Sequence, residues 1–138
     1  MNDDGSLLLQ ALQVRKNAYC PYSGYAVGAA LLGKSGTVYT GCNLENAALS
    51  VICAERAALA QAVSRGEREF VAVAVAGGPE NGPAAAECWP CGVCRQMLFE
   101  FGGEALRVIS GSPDAPIVCT LAQLLPRAFG PADLQEAE

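Results

Sequence analysis

Residues 70–76, Phe-Val-Ala-Val-Ala-Val-Ala, carry no polar side chain. A continuous apolar run of that length, closed by Gly77-Gly78-Pro79, reads as a strand buried on both faces. Such a strand sits inside a sheet, with other elements covering it from above and below. The rest of the chain supplies them. Ser6 to Ala18 reads as an amphipathic helix in which Leu8, Leu9, Leu12 and Ala18 recur near helical spacing and Ser6 caps the start. Cys20-Pro21-Tyr22-Ser23-Gly24 is a turn. Tyr25 to Leu32 and Thr37 to Cys42 flank the Gly33-Lys34-Ser35-Gly36 loop as an antiparallel hairpin. Helices are predicted from about Cys53 to Ser64 and from about Gly92 to Phe101, the second stopped by Gly102-Gly103. Ala105 to Ser110 and Ile117 to Thr120 are strands, Leu121 to Pro126 is a helical turn, and the chain beyond Pro131 is a polar tail. This order predicts an α/β fold with a mixed sheet and helices on both faces. Gly77 to Glu87 is a Gly/Pro/Ala loop and no linker divides the chain, so residues 1–138 are expected to form one domain.

Seven cysteines and no histidine narrow the chemistry. An odd number cannot pair fully into disulfides within one chain. Without histidine there is no Ser-His-Asp or Cys-His unit, and any transition-metal site must be rich in thiolate. The net charge of -5, from nine basic and fourteen acidic residues, argues against a nucleic-acid polymer as partner. A small neutral substrate fits better. The polar, acidic N-terminus is unlike a secretory signal, and no apolar stretch reaches the roughly 18 residues needed to span a bilayer. The expectation is a cytoplasmic protein without a membrane segment.

Two motifs carry chemistry. Cys53-Ala54-Glu55-Arg56 and Pro90-Cys91-Gly92-Val93-Cys94 each stand at a predicted helix start. Free backbone N–H groups and the helix dipole favour thiolates there. An isolated C-x-x-C is commonly a redox pair or half of a structural zinc site, and C-x-E alone says little. Together they offer Cys53, Cys91 and Cys94 as three zinc ligands, leaving the fourth tetrahedral position open as catalytic sites do. Glu55, two residues after Cys53, then stands beside the metal without ligating it, where a proton carrier belongs. This pattern is that of the zinc deaminases. Three thiolates exceed the charge of Zn2+, so a guanidinium close to sulfur would help; Arg56 is the first candidate and Arg95 the second. Cys88, three residues before Cys91, is the competing fourth ligand. Cys20, Cys42 and Cys119 are expected in the core.

The sequence resembles the cytidine deaminase family, the small homotetrameric kind, over nearly its whole length. The resemblance rests on Ala18-Tyr19-Cys20-Pro21-Tyr22-Ser23, Gly41-Cys42-Asn43-Leu44-Glu45-Asn46-Ala47, the two cysteine motifs with Arg95-Gln96, Leu124-Leu125-Pro126 and Phe129-Gly130-Pro131. It implies a three-layer α/β/α sandwich with about five strands, zinc as cofactor, and hydrolytic deamination of cytidine and 2′-deoxycytidine in pyrimidine salvage. It also implies that Asn43 and Glu45 hold the ribose, that Tyr25 packs near the pyrimidine, and that Phe129 covers the base in a neighbouring subunit. The chain departs from the family pattern at Leu49-Ser50, where Tyr-Pro is frequent, at Trp89, where Ser is frequent, and at Tyr25, where Phe is usual. A deaminase of cytosine-containing antibiotics such as blasticidin S, and a non-catalytic zinc-stabilised binding protein, are the alternatives.

Overall fold

The computed structural model describes residues 2–135. The elements are α1 (Asp4–Arg15), β1 (Tyr25–Gly33), β2 (Val38–Cys42), β3 (Leu44–Glu45), β4 (Val51–Ile52), α2 (Ala54–Ser64), β5 (Phe70–Pro79), α3 (Gly92–Gly102), β6 (Arg107–Ser112), β7 (Ala115–Thr120), α4 (Leu121–Leu124) and α5 (Pro131–Gln135). Five strands form one sheet in the order β2-β1-β5-β6-β7. All neighbours are antiparallel except β5 and β6, which run parallel. The apolar run at 70–76 is the central strand. The predicted mixed, five-stranded α/β/α sandwich is therefore the observed architecture.

The two faces of β5 differ in size. Ala72, Ala74 and Ala76 pack with Leu7, Leu8 and Ala11 of α1. Val73 and Val75 join Ala58 and Leu59 of α2 and Leu98 of α3 on the other side. Strand alternation thus separates a face of methyls, which lets α1 lie close, from a face of larger side chains. One glycine decides how near α2 comes to the sheet. A Cβ on Gly41 of β2 would stand 2.6 Å from the Ala58 nitrogen and 2.7 Å from the Ala54 carbonyl oxygen. Only a hydrogen at that position lets the first turns of α2 rest on the strand.

Several boundaries differ from expectation. Asp3, not Ser6, caps α1: its carboxylate accepts from the Ser6 amide at 2.8 Å. Leu9 faces solvent, because the stripe that packs on β5 is Leu7, Leu8 and Ala11, and Ala18 lies beyond the helix, which ends at Arg15. The strand β5 runs on through Pro79, since β1 continues to pair with it from Val27↔Gly77 to Tyr25↔Pro79. A short ribbon of β3 and β4 pairs Leu44 with Ile52 and Glu45 with Val51 within what reads as loop. The expected tail begins as α5, and residues 136–138 lie outside the described part.

Candidate active site and metal centre

The sheet brings the N-termini of α2 and α3 together. Cys53 is the N-cap of α2 and Cys91 the N-cap of α3, both in extended backbone. Their sulfurs lie 3.8 Å apart. With Cys94, buried in the first turn of α3, the three sulfurs lie within 4.8 Å of one another. Burial raises the Cys91 thiol, but the amides of Cys94 and Val93 and the sulfurs of Cys94 and Cys53 outweigh it, so its pKa falls below the ordinary value. The Cys94 thiol is pushed up, by burial first and then by Glu55 and the neighbouring sulfurs. Three sulfurs this close, carried on two helix ends, form a donor set that one cation can share.

Arg56 lies against the cluster. Its Nη2 donates to the Cys53 sulfur at 3.5 Å and to the Val51 carbonyl at 3.1 Å. Cys53 and Cys94 both hold its pKa up. Its Nε is buried without a hydrogen-bond partner among the described residues. Arg95 does something else. Its Nε donates to the Pro90 carbonyl at 2.6 Å and its Nη1 to the Leu124 carbonyl at 2.7 Å, so it fastens backbone rather than sulfur.

Glu55 is 4% exposed and opens, with Cys53 and Cys91, on a cavity of about 160 Å³. Burial raises its pKa; its own amide and Arg56 oppose the shift without cancelling it. Tyr25 and Asn43 line the same cavity, and so do Cys88 and Trp89. Cys88 stands outside the group of clustered sulfurs, which argues against its use as a fourth ligand. Val27 and Ala54 also line the cavity, and sequence reasoning missed them, because an apolar residue in a strand or helix carries no chemical mark. A larger groove, about 540 Å³, passes over Lys34, Arg65 and Glu69 at the hairpin turn, and none of the cysteines lines it.

Asn43 is 6% exposed and already half engaged. Its Oδ1 accepts from the Val27 amide at 2.9 Å and its Nδ2 donates to the Tyr25 carbonyl at 2.8 Å. One lone pair and one N–H remain. Glu45 is set apart from this cavity. It lines an adjoining one with Tyr22 and Ser23, and its carboxylate accepts from both their amides, at 3.0 and 3.1 Å, and from the Ser23 hydroxyl. Those hydrogen bonds, the hydroxyl first, lower its pKa. Phe129 is 60% exposed and lines neither cavity of its own chain.

Residues 1–110 match the family model described as the cytidine and deoxycytidylate deaminase zinc-binding region. A cytidine deaminase of Sporosarcina psychrophila is 44% identical, covering 98% of this chain and 97% of its own. The chain belongs to the cytidine deaminase family. The cytidine deaminase of Halalkalibacterium halodurans is 41% identical, over 97% of this chain and 99% of its own length. Among solved structures, the cytidine deaminase from Mycobacterium tuberculosis superposes with a TM-score of 0.79 at 40% identity, covering 94% of this chain and 99% of the other. That from Burkholderia pseudomallei gives 0.78 at 42%, covering 90% and 97%. Zinc is the family's metal, and the donor set here suits it: three soft thiolates on two helix ends, two of them lining the cavity of Glu55.

Proposed function

We propose that this protein hydrolyses cytidine and 2′-deoxycytidine to uridine and 2′-deoxyuridine with release of ammonia, serving pyrimidine salvage. The observation that carries the reading is Glu55, buried in one cavity with the cysteine cluster. Cys53, Cys91 and Cys94 would hold zinc, which, when bound, supplies a Lewis acid that makes water acidic near neutral pH. Glu55 accepts the proton of the attacking water and passes it to ring N3. The water oxygen forms a bond to C4, the C4–N bond breaks, and Glu55 carries the second proton to the departing amine. A carboxyl whose pKa is raised by burial is suited to gain and lose a proton in one turnover. Arg56 draws charge from the thiolates, so that they blunt the metal less.

Asn43 offers the ribose its spare acceptor and donor, and Tyr25 meets the base. Glu45 reaches the sugar by exchanging one of its contacts with the Tyr22–Ser23 turn. Phe129 serves the site of a neighbouring subunit in a homotetramer, a use consistent with an aromatic ring left exposed on its own chain. The chain acts as one catalytic domain in the cytoplasm. No helix among the described residues is long and apolar enough to cross a membrane.

The test is Glu55→Gln. Zinc content should stay at the wild-type level while cytidine turnover, followed by ultraviolet absorbance, falls by about a hundred- to ten-thousand-fold. Undiminished turnover would remove Glu55 from the mechanism. Wild-type protein that deaminates blasticidin S but not cytidine would overturn the substrate.

A further inference from the structure

The segment Cys88-Trp89-Pro90-Cys91 has two duties. Cys88 and Trp89 face the Glu55 cavity, and Cys91 belongs to the metal centre. Yet between Ala85 and Cys91 no backbone-to-backbone hydrogen bond is made among the described residues. Side chains hold it instead. At one end the Arg95 guanidinium grips the Pro90 carbonyl. At the other, Ser110 of β6, 0% exposed, uses one hydroxyl twice: it accepts from the Cys88 amide at 2.7 Å and donates to the Cys88 carbonyl at 3.1 Å. A serine in the apolar run Val108-Ile109-Ser110 thereby does the work of a missing strand pairing. The space is cut to fit as well. A Cβ on Gly77 of β5 would stand 2.6 Å from the Cys88 sulfur and 3.1 Å from Cε2 of Tyr25, so the thiol lies in the notch that glycine leaves, beside the Tyr25 ring.

We propose that Ser110 is a positioning residue for deamination. By holding both backbone groups of Cys88, it fixes the Cys88–Trp89 wall of the cavity and sets the reach of Cys91, three residues on, toward the metal. The inference rests on reading the cavity as the cytidine site. It predicts an uneven kinetic effect. Glu55 and Cys53 stand on α2, which Ser110 does not touch, so while zinc stays bound the larger effect falls on substrate binding rather than on the proton transfers. The wall meets substrate in ground and transition states alike, so its loosening weakens binding.

In Ser110→Ala the Cys88 N–H and C=O lose their partner. The Michaelis constant for cytidine should rise roughly five- to tenfold with kcat within about twofold. Zinc release to a chromogenic chelator should quicken by about tenfold. Cys88→Ala keeps the backbone grip and trims only the wall; it should raise the Michaelis constant and leave zinc release unchanged. If Ser110→Ala does not fold, Ser110→Cys, close in size but weak as donor and acceptor, carries the same two measurements. Wild-type values of both in a folded variant overturn the proposal, even if its melting temperature drops, because Ser110 would then serve stability alone. A wild-type enzyme inactive on cytidine would instead sink the reading of the cavity, and zinc release would still decide the role of Ser110.

Discussion

Arg56 shows how much one side chain can adjust in a site with this charge. Three thiolates around Zn2+ would leave a net negative centre that resists ionisation of water, and in the proposed mechanism the guanidinium 3.5 Å from the Cys53 sulfur would withdraw part of that charge. Arg56→Gln should retain zinc but lower kcat/KM about tenfold or more. Its rising pH limb should move upward, because the water then ionises at higher pH. A pH–rate profile with a zinc count checks this, and an unshifted limb would place Arg56 in a packing role. Glu67 acts on stability instead. Its carboxylate accepts from the Ser35 hydroxyl at 2.6 Å, the Ser35 amide at 3.1 Å and the Tyr39 hydroxyl at 2.9 Å, and these bonds, the Ser35 hydroxyl first, lower its pKa. A carboxyl depressed in the folded state stabilises fully above its unfolded pKa, about 4.3. That contribution disappears as pH falls through the lower folded value. Glu67→Gln should therefore melt below wild type near neutral pH, and the two melting curves should converge in acid. A constant gap down to acid pH would show that the carboxylate charge is not what matters.

Among elements, α2 is the one whose placement is most exacting, since its first turn delivers Cys53, Glu55 and Arg56 together. Gly41→Ala would drive a methyl into the α2 backbone at Ala54 and Ala58. The cost should be about 1–3 kcal/mol in urea unfolding, with lowered zinc content at limiting metal. Unchanged stability and zinc would mean that the helix has slack to give. The elements that bear the chemistry are also those most legible in sequence. An uninterrupted apolar run announces β5, and cysteines at helix starts announce α2 and α3, because periodicity and capping are local properties. The illegible parts depend on partners far along the chain. The ribbon of β3 and β4 has exposed Leu44, Val51 and Ile52 and no alternation to betray it. The engagement of Glu45 with the Tyr22–Ser23 turn depends on a loop 22 residues away. The sequence marks Ser110 only as the end of a strand, and its role rests on Cys88, 22 residues earlier.

At the scale of the molecule, Leu49, Val51, Ile52, Val93, Met97 and Phe129 are all exposed apolar side chains, which a subunit interface would cover. Light scattering should give the mass of a tetramer. Phe129→Ala should lose activity while keeping its zinc. Mixed with Glu55→Gln under conditions that let subunits exchange, it should regain turnover above the sum of the two, because some sites then pair an intact Glu55 with an intact Phe129. No gain on mixing would mean that each site is complete within one chain. The arrangement of strands has a consequence in time. The helices bearing Cys53 and Cys91 flank β5 in the chain, and β5 is held by β1, whose residues lie some 45 positions earlier, as in Leu31↔Val73 and Gly28↔Ala76. That distant pairing is entropically slow to form. The metal-binding geometry should thus be completed late in folding, with newly made protein passing through a compact, zinc-free form before it gains activity; stopped-flow refolding in which zinc uptake keeps pace with the first compaction would overturn this.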